Sequence, residues 1–503
     1  MRLVYAASLA GLFALGCSSD DDAGPSAGAG GSAATGGAHS GGSAGGGGLD
    51  GSAGTGGGAG SAGAGAGGGG SGGGGGSGGS GGTGGGGASG PTRYPVGKVT
   101  SPVNEHVAAR LAAIASQNAN RKGTVFIKVG DSHTVSKNLM YCFAGPSQPS
   151  YKLDLAGHDA LLPGIQHFRK GDAAGTTPFD RASLAAVVGK TASWAITGGP
   201  SPLSQEVAAT NPRFALVSYG TNDMQMGVTF ESALWPFHEN LSKLLDQLEQ
   251  GGVVPIVAGL LPRGDSQSAA LWAEVYDHVT RALAEKRQVP YFSVYQATKG
   301  LPKQGLASDA LHGNVYLSPG AQPCVFSSAG LDHNYNVRNL RSMQQLDVVR
   351  RTVLDGEKAP DATVPPAGGA GTKAEPIVVD GLPFTHHSST KTSPESSIDA
   401  YPGCNSTANE SGPERFYTFT VSQPTPIRAM LFDREGVDVD LHLLSGGTTG
   451  ASCKARSDRI IETQLAPGTH TFVVDSFVAS GKALSGEYTL VVMRCAATDS
   501  ACN

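Results

Sequence analysis

Between Gly24 and Gly90 the chain is built almost wholly from Gly, Ala, Ser and Thr, and this tract sets the first limit on any fold. It holds about half of the 76 glycines and almost nothing apolar beyond Ala. A segment of that composition cannot bury enough surface to offset the entropy of ordering it. It has no strict Gly-X-Y period with proline, which excludes a collagen triple helix. The roughly 410 residues that follow suffice for two or three domains. A net charge of -5 with scattered Lys and Arg argues against binding nucleic acid through phosphate neutralisation. No apolar run reaches the ~18–20 residues of a membrane-spanning helix.

The N-terminus reads as a targeting segment. Met1-Arg2 is followed by a mostly apolar stretch from Leu3 to Leu15, then Gly16 and Cys17. A small residue directly before such a cysteine resembles the lipobox of bacterial lipoproteins, although Ala14 stands where that family places leucine. The resemblance implies a signal peptide over 1–16, cleavage before Cys17, lipid on that cysteine and a membrane as partner. Asp20-Asp21-Asp22 resembles the surface-export signal of some outer-membrane lipoproteins. The expected location is the outer membrane or cell surface, on its periplasmic or extracellular side. Residues 17–92 then read as a flexible tether, with a mean reach of roughly 40–50 Å. Gly69-Gly70-Ser71-Gly72-Gly73 matches G-x-S-x-G, but no strand precedes it and no helix follows, so it carries no weight.

With Cys17 lipidated, six cysteines remain: Cys142, Cys324, Cys404, Cys453, Cys495 and Cys502. An even number in an exported chain points to disulfides. Keeping each bridge within one region pairs 142 with 324, 404 with 453 and 495 with 502, one of fifteen connectivities. No C-x-x-C pair exists.

Residues 93–354 alternate strand-like and helix-like segments. Val107, Leu111 and Ile114 have helical spacing before Gly123. Thr124 to Val129, Phe214 to Tyr219, Val253 to Ala258 and Val289 to Val294 read as four buried strands. Leu241, Leu244, Leu245 and Leu248, and then Leu271, Val275, Val279 and Leu283, mark two helices between them. This alternation predicts an α/β fold with a mostly parallel sheet, whose ligands lie at the carboxyl ends of the strands.

The polar residues at those ends form a pattern. Gly130-Asp131-Ser132 ends the first strand, Gly220-Thr221-Asn222-Asp223 the second, and Asp309-Ala310-Leu311-His312 follows the fourth. A serine at a strand-to-helix turn has free backbone N–H groups beside it, and an Asp three residues before a His can orient the ring as a base. These three blocks, in this order, resemble the SGNH hydrolases, or GDSL esterases. The resemblance implies a three-layer αβα, flavodoxin-like domain with Ser132 as nucleophile, His312 as general base and Asp309 as its orienting carboxylate. It also implies an oxyanion hole from the N–H groups of Ser132 and Gly189 and the side chain of Asn222. Gly189 is chosen for its G-x-T form with Thr191, over the competitors Gly198 and Gly199. His133, where many members have leucine, reads as a polar helix-start residue. Asp131 and Asp223 read as structural. No cofactor and no metal are implied.

Residues 355–373, rich in Pro, Gly, Ala and Thr, read as a linker, and His386-His387 as loop. From 374 to 503 the apolar period becomes two, as in Tyr417, Phe419 and Val421 or Val437, Val439, Leu441 and Leu443, which predicts an all-β sandwich. The stretch from Glu414 to Met493 resembles the bacterial pre-peptidase C-terminal domain, an accessory for secretion or attachment. Asp438 and Asp440 share a strand face there; a solvated face is expected, with calcium binding as the alternative. Trp194, Trp235 and Trp272 read as core or pocket wall.

The function expected is an exported, lipid-anchored serine esterase acting on acylated polysaccharide or lipid esters, without nucleic acid as a partner. The alternative from another class is a catalytically silent surface adhesin that binds through its β-sandwich. A further enzymatic option is acyl transfer to a second alcohol.

Overall fold

The structure is a computed structural model and describes residues 90–502. The expected signal peptide, Cys17 and nearly all of the tether lie outside the described residues. Thr92, assigned by composition to the tether, is buried and held by the side chain of Gln288.

The α/β part is built on four parallel strands in sequential order: Lys122–Gly130, Pro212–Ser218, Val254–Ala258 and Tyr291–Phe292. β-Branched and aromatic residues fill these strands, which are buried on both faces as a parallel sheet requires. A flavodoxin-like order would place one more strand outside Lys122–Gly130. At that edge the described residues show a single parallel bridge, Gly130 with Ala186. The expected strand Val289–Val294 is shorter, because Ser293 caps a helix, Val294–Thr298, with its hydroxyl accepting from the Gln296 N–H.

Helices Phe230–Gln250 and Gln267–Arg287 connect neighbouring strands and pack on each other. In the first, Leu241, Leu244, Leu245 and Leu248 are all buried, and the helix stops at Gly251-Gly252, with Gly252 at φ +71°. A third long helix, Asn334–Val353, packs against Glu105–Ser116 and Leu162–Arg169. No helix among the described residues is long and apolar enough to cross a membrane.

The C-terminal part forms two sheets. One orders Ile460–Leu465, Thr425–Asp433, Glu487–Arg494 and Phe384–Ser389, all antiparallel. The other orders Cys453–Ser457, Val439–Ser445, Gly468–Ser476, Arg415–Val421 and Ile377–Val378. Alternate side chains of both, including Ile427, Leu431, Leu441, Phe472 and Leu490, share one apolar core. His386 and His387 lie in a strand, not a loop: their ring nitrogens reach the hydroxyls of Tyr417 and Thr489, each at 3.0 Å. The expected solvated face at Asp438 and Asp440 is also corrected. Residues 393–414 cover that face of the five-stranded sheet, so Asp440 is buried and only Asp438 keeps partial exposure.

The segment 355–373 is fixed against the α/β part: Asp361 accepts from the Val103 N–H at 2.8 Å, and Thr363 from the Asn104 side chain at 2.8 Å. The three disulfides pair Cys142 with Cys324, Cys404 with Cys453 and Cys495 with Cys502.

Candidate active site

The first strand runs into Asp131, whose carboxylate accepts from the His133 N–H and caps the short helix Ser132–Val135. Glycine is needed just before it. A Cβ on Gly130 would collide with the Thr134 side chain and the Ser218 carbonyl. Ser132 thus occupies the first helical position, and its N–H donates no hydrogen bond among the described residues.

His312 arrives on a loop closed by the Leu306–Gly313 bridge and by the Ala307 N–H donating to the His312 carbonyl. Within it Ala310 adopts φ +55°, the left-handed region that costs a non-glycine residue about 1 kcal/mol or more. That turn folds Asp309 back. Its Oδ1 accepts from the N–H groups of Leu311 (3.0 Å) and His312 (2.9 Å), and its Oδ2 lies 2.6 Å from His312 Nδ1. The other ring nitrogen, Nε2, is 3.0 Å from Ser132 Oγ. With the imidazole proton on Nδ1 facing Asp309, Nε2 is free to accept from the serine hydroxyl. Burial acts to raise the Asp309 pKa, but the hydrogen bonds from the His312 N–H, its ring and the Leu311 N–H outweigh it and hold the group at about 2. Ser132, His312 and Asp309 therefore come together.

Asn222 reaches the loop that carries Gly189. The chain 185–187 lies along the end of the first strand, with Gly130 N–H donating to Ala185 O and Val187 N–H to Gly130 O. Gly189 follows at φ +74°, exposed, with its N–H unused among the described residues. The Asn222 amide donates to the neighbouring Lys190 carbonyl at 3.2 Å, leaving its second hydrogen available. Thr191 caps the helix Ala192–Ile196, which explains the threonine of the G-x-T block. Asp223 locks this loop to the second strand, accepting from the N–H groups of Ala192 (3.0 Å) and Gly220 (3.1 Å). Its burial, only partly offset by the Ala192 N–H, pushes its pKa up to about 7.

His133 has more to do than begin a helix. Its ring is buried, with Nδ1 3.1 Å from Asp131 Oδ1 and Nε2 3.2 Å from the Leu311 carbonyl. It ties the serine turn to the loop that carries His312, and the two imidazoles lie 5.0 Å apart. Its two partners are both acceptors, so both contacts are full hydrogen bonds only when both nitrogens carry protons. Arg338, fully buried on the long helix, supports the same turn through the His133 carbonyl at 3.4 Å and Ser218 Oγ at 3.3 Å. Sequence reading missed Arg338 altogether, because nothing local marks a helix arginine as buried. A third brace comes from the loop after Val254–Ala258. There Arg263 donates to the Thr221 carbonyl at 3.3 Å, and the Gly264 N–H donates to the Ala310 carbonyl at 2.9 Å.

Six of the nine exposed large apolar side chains among the described residues, Val135, Leu184, Val187, Val188, Met226 and Val228, lie on the segments that carry Ser132, Gly189 and Asn222. A cleft of about 600 Å³ opens beside Met224 and Gln225, just past Asn222, and is walled on its far side by Arg428, Glu462 and Asp499 of the strand-rich part. A larger one, about 690 Å³, lies between Arg93, Glu285 and His387 and takes in none of the residues gathered around Ser132.

Among solved structures, the chain is similar to a GDSL-like lipase from Bacteroides thetaiotaomicron, at 12% identity over 48% of this chain and 97% of that one, with a TM-score of 0.28. It is similar to a catalytic mutant of an acetylxylan esterase from Geobacillus stearothermophilus, at 13% identity over 44% and 93%, with a TM-score of 0.29. A psychrotrophic esterase from Pseudoalteromonas sp. matches at 13% identity over 44% and 98%, with a TM-score of 0.27. No curated protein matches the chain. Residues 169–316, the stretch that carries Gly189, Asn222, Asp309 and His312, match the family model of the GDSL-like Lipase/Acylhydrolase family.

Proposed function

We propose that the chain is an exported, lipid-anchored SGNH-type serine esterase that hydrolyses carboxylic esters. The observation that carries this reading is the relay of Ser132 Oγ, His312 and Asp309 at 3.0 and 2.6 Å, assembled from segments 180 residues apart. Asp309 stays ionised because its pKa is held at about 2, so it can stabilise a protonated His312.

In the reaction, Ser132 Oγ attacks the ester carbonyl carbon while His312 Nε2 takes its proton. The oxyanion is met by the N–H groups of Ser132 and Gly189 and the amide of Asn222. Collapse breaks the bond to the alcohol oxygen, which leaves with the proton from His312. Water then attacks the acyl-serine by the same route and releases the acid. The exposed apolar side chains on the segments that carry Ser132, Gly189 and Asn222 favour an ester with an acyl chain or an apolar alcohol, which keeps lipid esters beside acetylated polysaccharide as substrate classes. Three disulfides support an oxidising compartment, in keeping with export and a lipid on Cys17. The strand-rich part serves as the accessory module of pre-peptidase C-terminal type. A silent adhesin finds no observation in its favour.

The test is hydrolysis of p-nitrophenyl esters of increasing chain length by wild type and Ser132→Ala. The variant should lose activity by a factor of ~10³ or more with an unchanged melting temperature, and a phosphonate probe should label only wild type. Wild-type rates in Ser132→Ala would end the nucleophile assignment.

A further inference from the structure

The outer face of the five-stranded sheet, far in sequence from Ser132, holds a dense group of buried polar side chains. Asp440 and His442 alternate with Val439, Leu441 and Leu443 along one strand, so they point away from the apolar core that those residues fill. The covering segment brings Tyr401, Glu410 and Glu414 onto them, and the Cys404–Cys453 bridge fastens it there. Asp440 is paired directly across strands with Asp475, and both are buried. Two carboxyls in that position repel unless something offsets them.

The local cations do not suffice. Arg456 Nη2 donates to Asp440 Oδ2 at 2.6 Å and to Glu410 Oε1 at 3.2 Å. Asp475 is satisfied by the Tyr401 hydroxyl at 2.7 Å and the Ser476 N–H at 2.7 Å. What remains unpaired is specific: Asp440 Oδ1, Glu410 Oε2 and both ring nitrogens of His442 make no hydrogen bond. His442 and Glu410 are 0% exposed and Asp440 1%. A buried imidazole with neither nitrogen bonded is costly, because each unsatisfied group keeps its full desolvation penalty. Its ring is nonetheless fixed, stacked on Tyr401 with 3.4 Å between centroids.

We propose that Glu410, Asp440 and His442 bind a zinc-type divalent transition-metal ion. One ligand atom from each residue lies within 4.8 Å of the other two. Tetrahedral zinc needs such atoms about 3.3–3.6 Å apart, a small side-chain adjustment from that spread. Two carboxylate oxygens and an imidazole nitrogen select zinc or its first-row neighbours over calcium and magnesium, which prefer oxygen alone. Arg456 holds one oxygen of each carboxylate and fixes their orientation, and a water completes four-coordination. The ion is structural, stapling the covering segment to the sheet.

The experiment uses the full chain, stripped with EDTA and titrated with zinc chloride by calorimetry and thermal melting. One zinc per chain is expected, with the melting temperature rising by about 5 °C on saturation. His442→Gln and Asp440→Asn should each lose the stoichiometric binding while retaining hydrolysis of a p-nitrophenyl ester. No zinc uptake by wild type, equal uptake by His442→Gln, or tighter binding of calcium than zinc would each overturn the assignment. Should a variant fail to fold, the wild-type titration still decides.

Discussion

Asn222 presents one amide hydrogen to the Lys190 carbonyl and so holds the other in a fixed direction. Preorganised donors of this kind contribute chiefly to the transition state. Asn222→Ala should therefore lower kcat by about 10²–10³ with little change in KM, measured on a short aryl ester. His133 acts one step further back, by holding the Leu311 carbonyl and hence the loop of His312. Loss of that hydrogen bond is worth about one order of magnitude in rate. His133→Phe should cut kcat about tenfold at unchanged KM, and His133→Gln, which can still donate to Leu311, should recover most of it. Equal losses in both variants, tracking melting temperature alone, would show that the residue only fills space. The position of Ser132 could be read from Gly130-Asp131-Ser132 because a strand-to-helix turn is a local event. His133 was underread because its significance lies with a carbonyl 178 residues away.

At the level of strands and helices, legibility followed the same division. Val253 to Ala258 and the Leu241–Leu248 face announced themselves through β-branched content and the 3.6 period, and both are as expected. Val289 to Val294 has strand composition, yet Ser293 offers its hydroxyl to a helix start and the strand keeps only Tyr291 and Phe292. Phe384–Ser389 escaped notice because it is an edge strand with polar His, Thr and Ser, whose place is set by pairing with Glu487–Arg494. Asp440 misled because the segment that covers it is folded back from a distant part of the chain. Helix Phe230–Gln250 also carries a pH dependence. His238, 4.6 Å from the Phe432 ring, is held at about 3 by burial and then by Lys286 and Arg287. The unfolded chain takes up a proton near 6.5, and the folded one does not until about 3. Stability from this group is complete above pH 6.5 and is lost as pH falls towards 3, by up to ~1.4 kcal/mol per pH unit. His238→Phe should flatten that slope relative to wild type when melting temperature is followed from pH 7 to 5. A parallel decline in both proteins would assign the slope to other groups, such as His386, which has the same sign.

Taken whole, the strand-rich part is packed hard against the α/β part. Met430, Phe432, Val491 and Met493 belong to the same apolar core as the parallel sheet. Trp235 stacks on Phe432 at 5.6 Å and donates to the Leu431 carbonyl at 2.8 Å, and the Arg428 guanidinium sits 4.2 Å over Trp272. These tryptophans are thus interface residues. Removing residues 374–503 would uncover that surface, so the truncated chain should be recovered mainly as aggregate, or should melt well below the full one. A soluble truncation with the full melting temperature would show that the contact adds nothing.

The bridge between Cys142 and Cys324 spans a sequence separation of 182, close to the interval between Ser132 and His312. At ~5–20 residues per second, a ribosome needs roughly 10–40 s to pass from one partner to the other. Throughout that interval the nascent polypeptide carries the Ser132 hydroxyl without the His312 ring beside it. On the proposed mechanism, competence to cleave esters is therefore a late event in biogenesis, and any product released early would be inert.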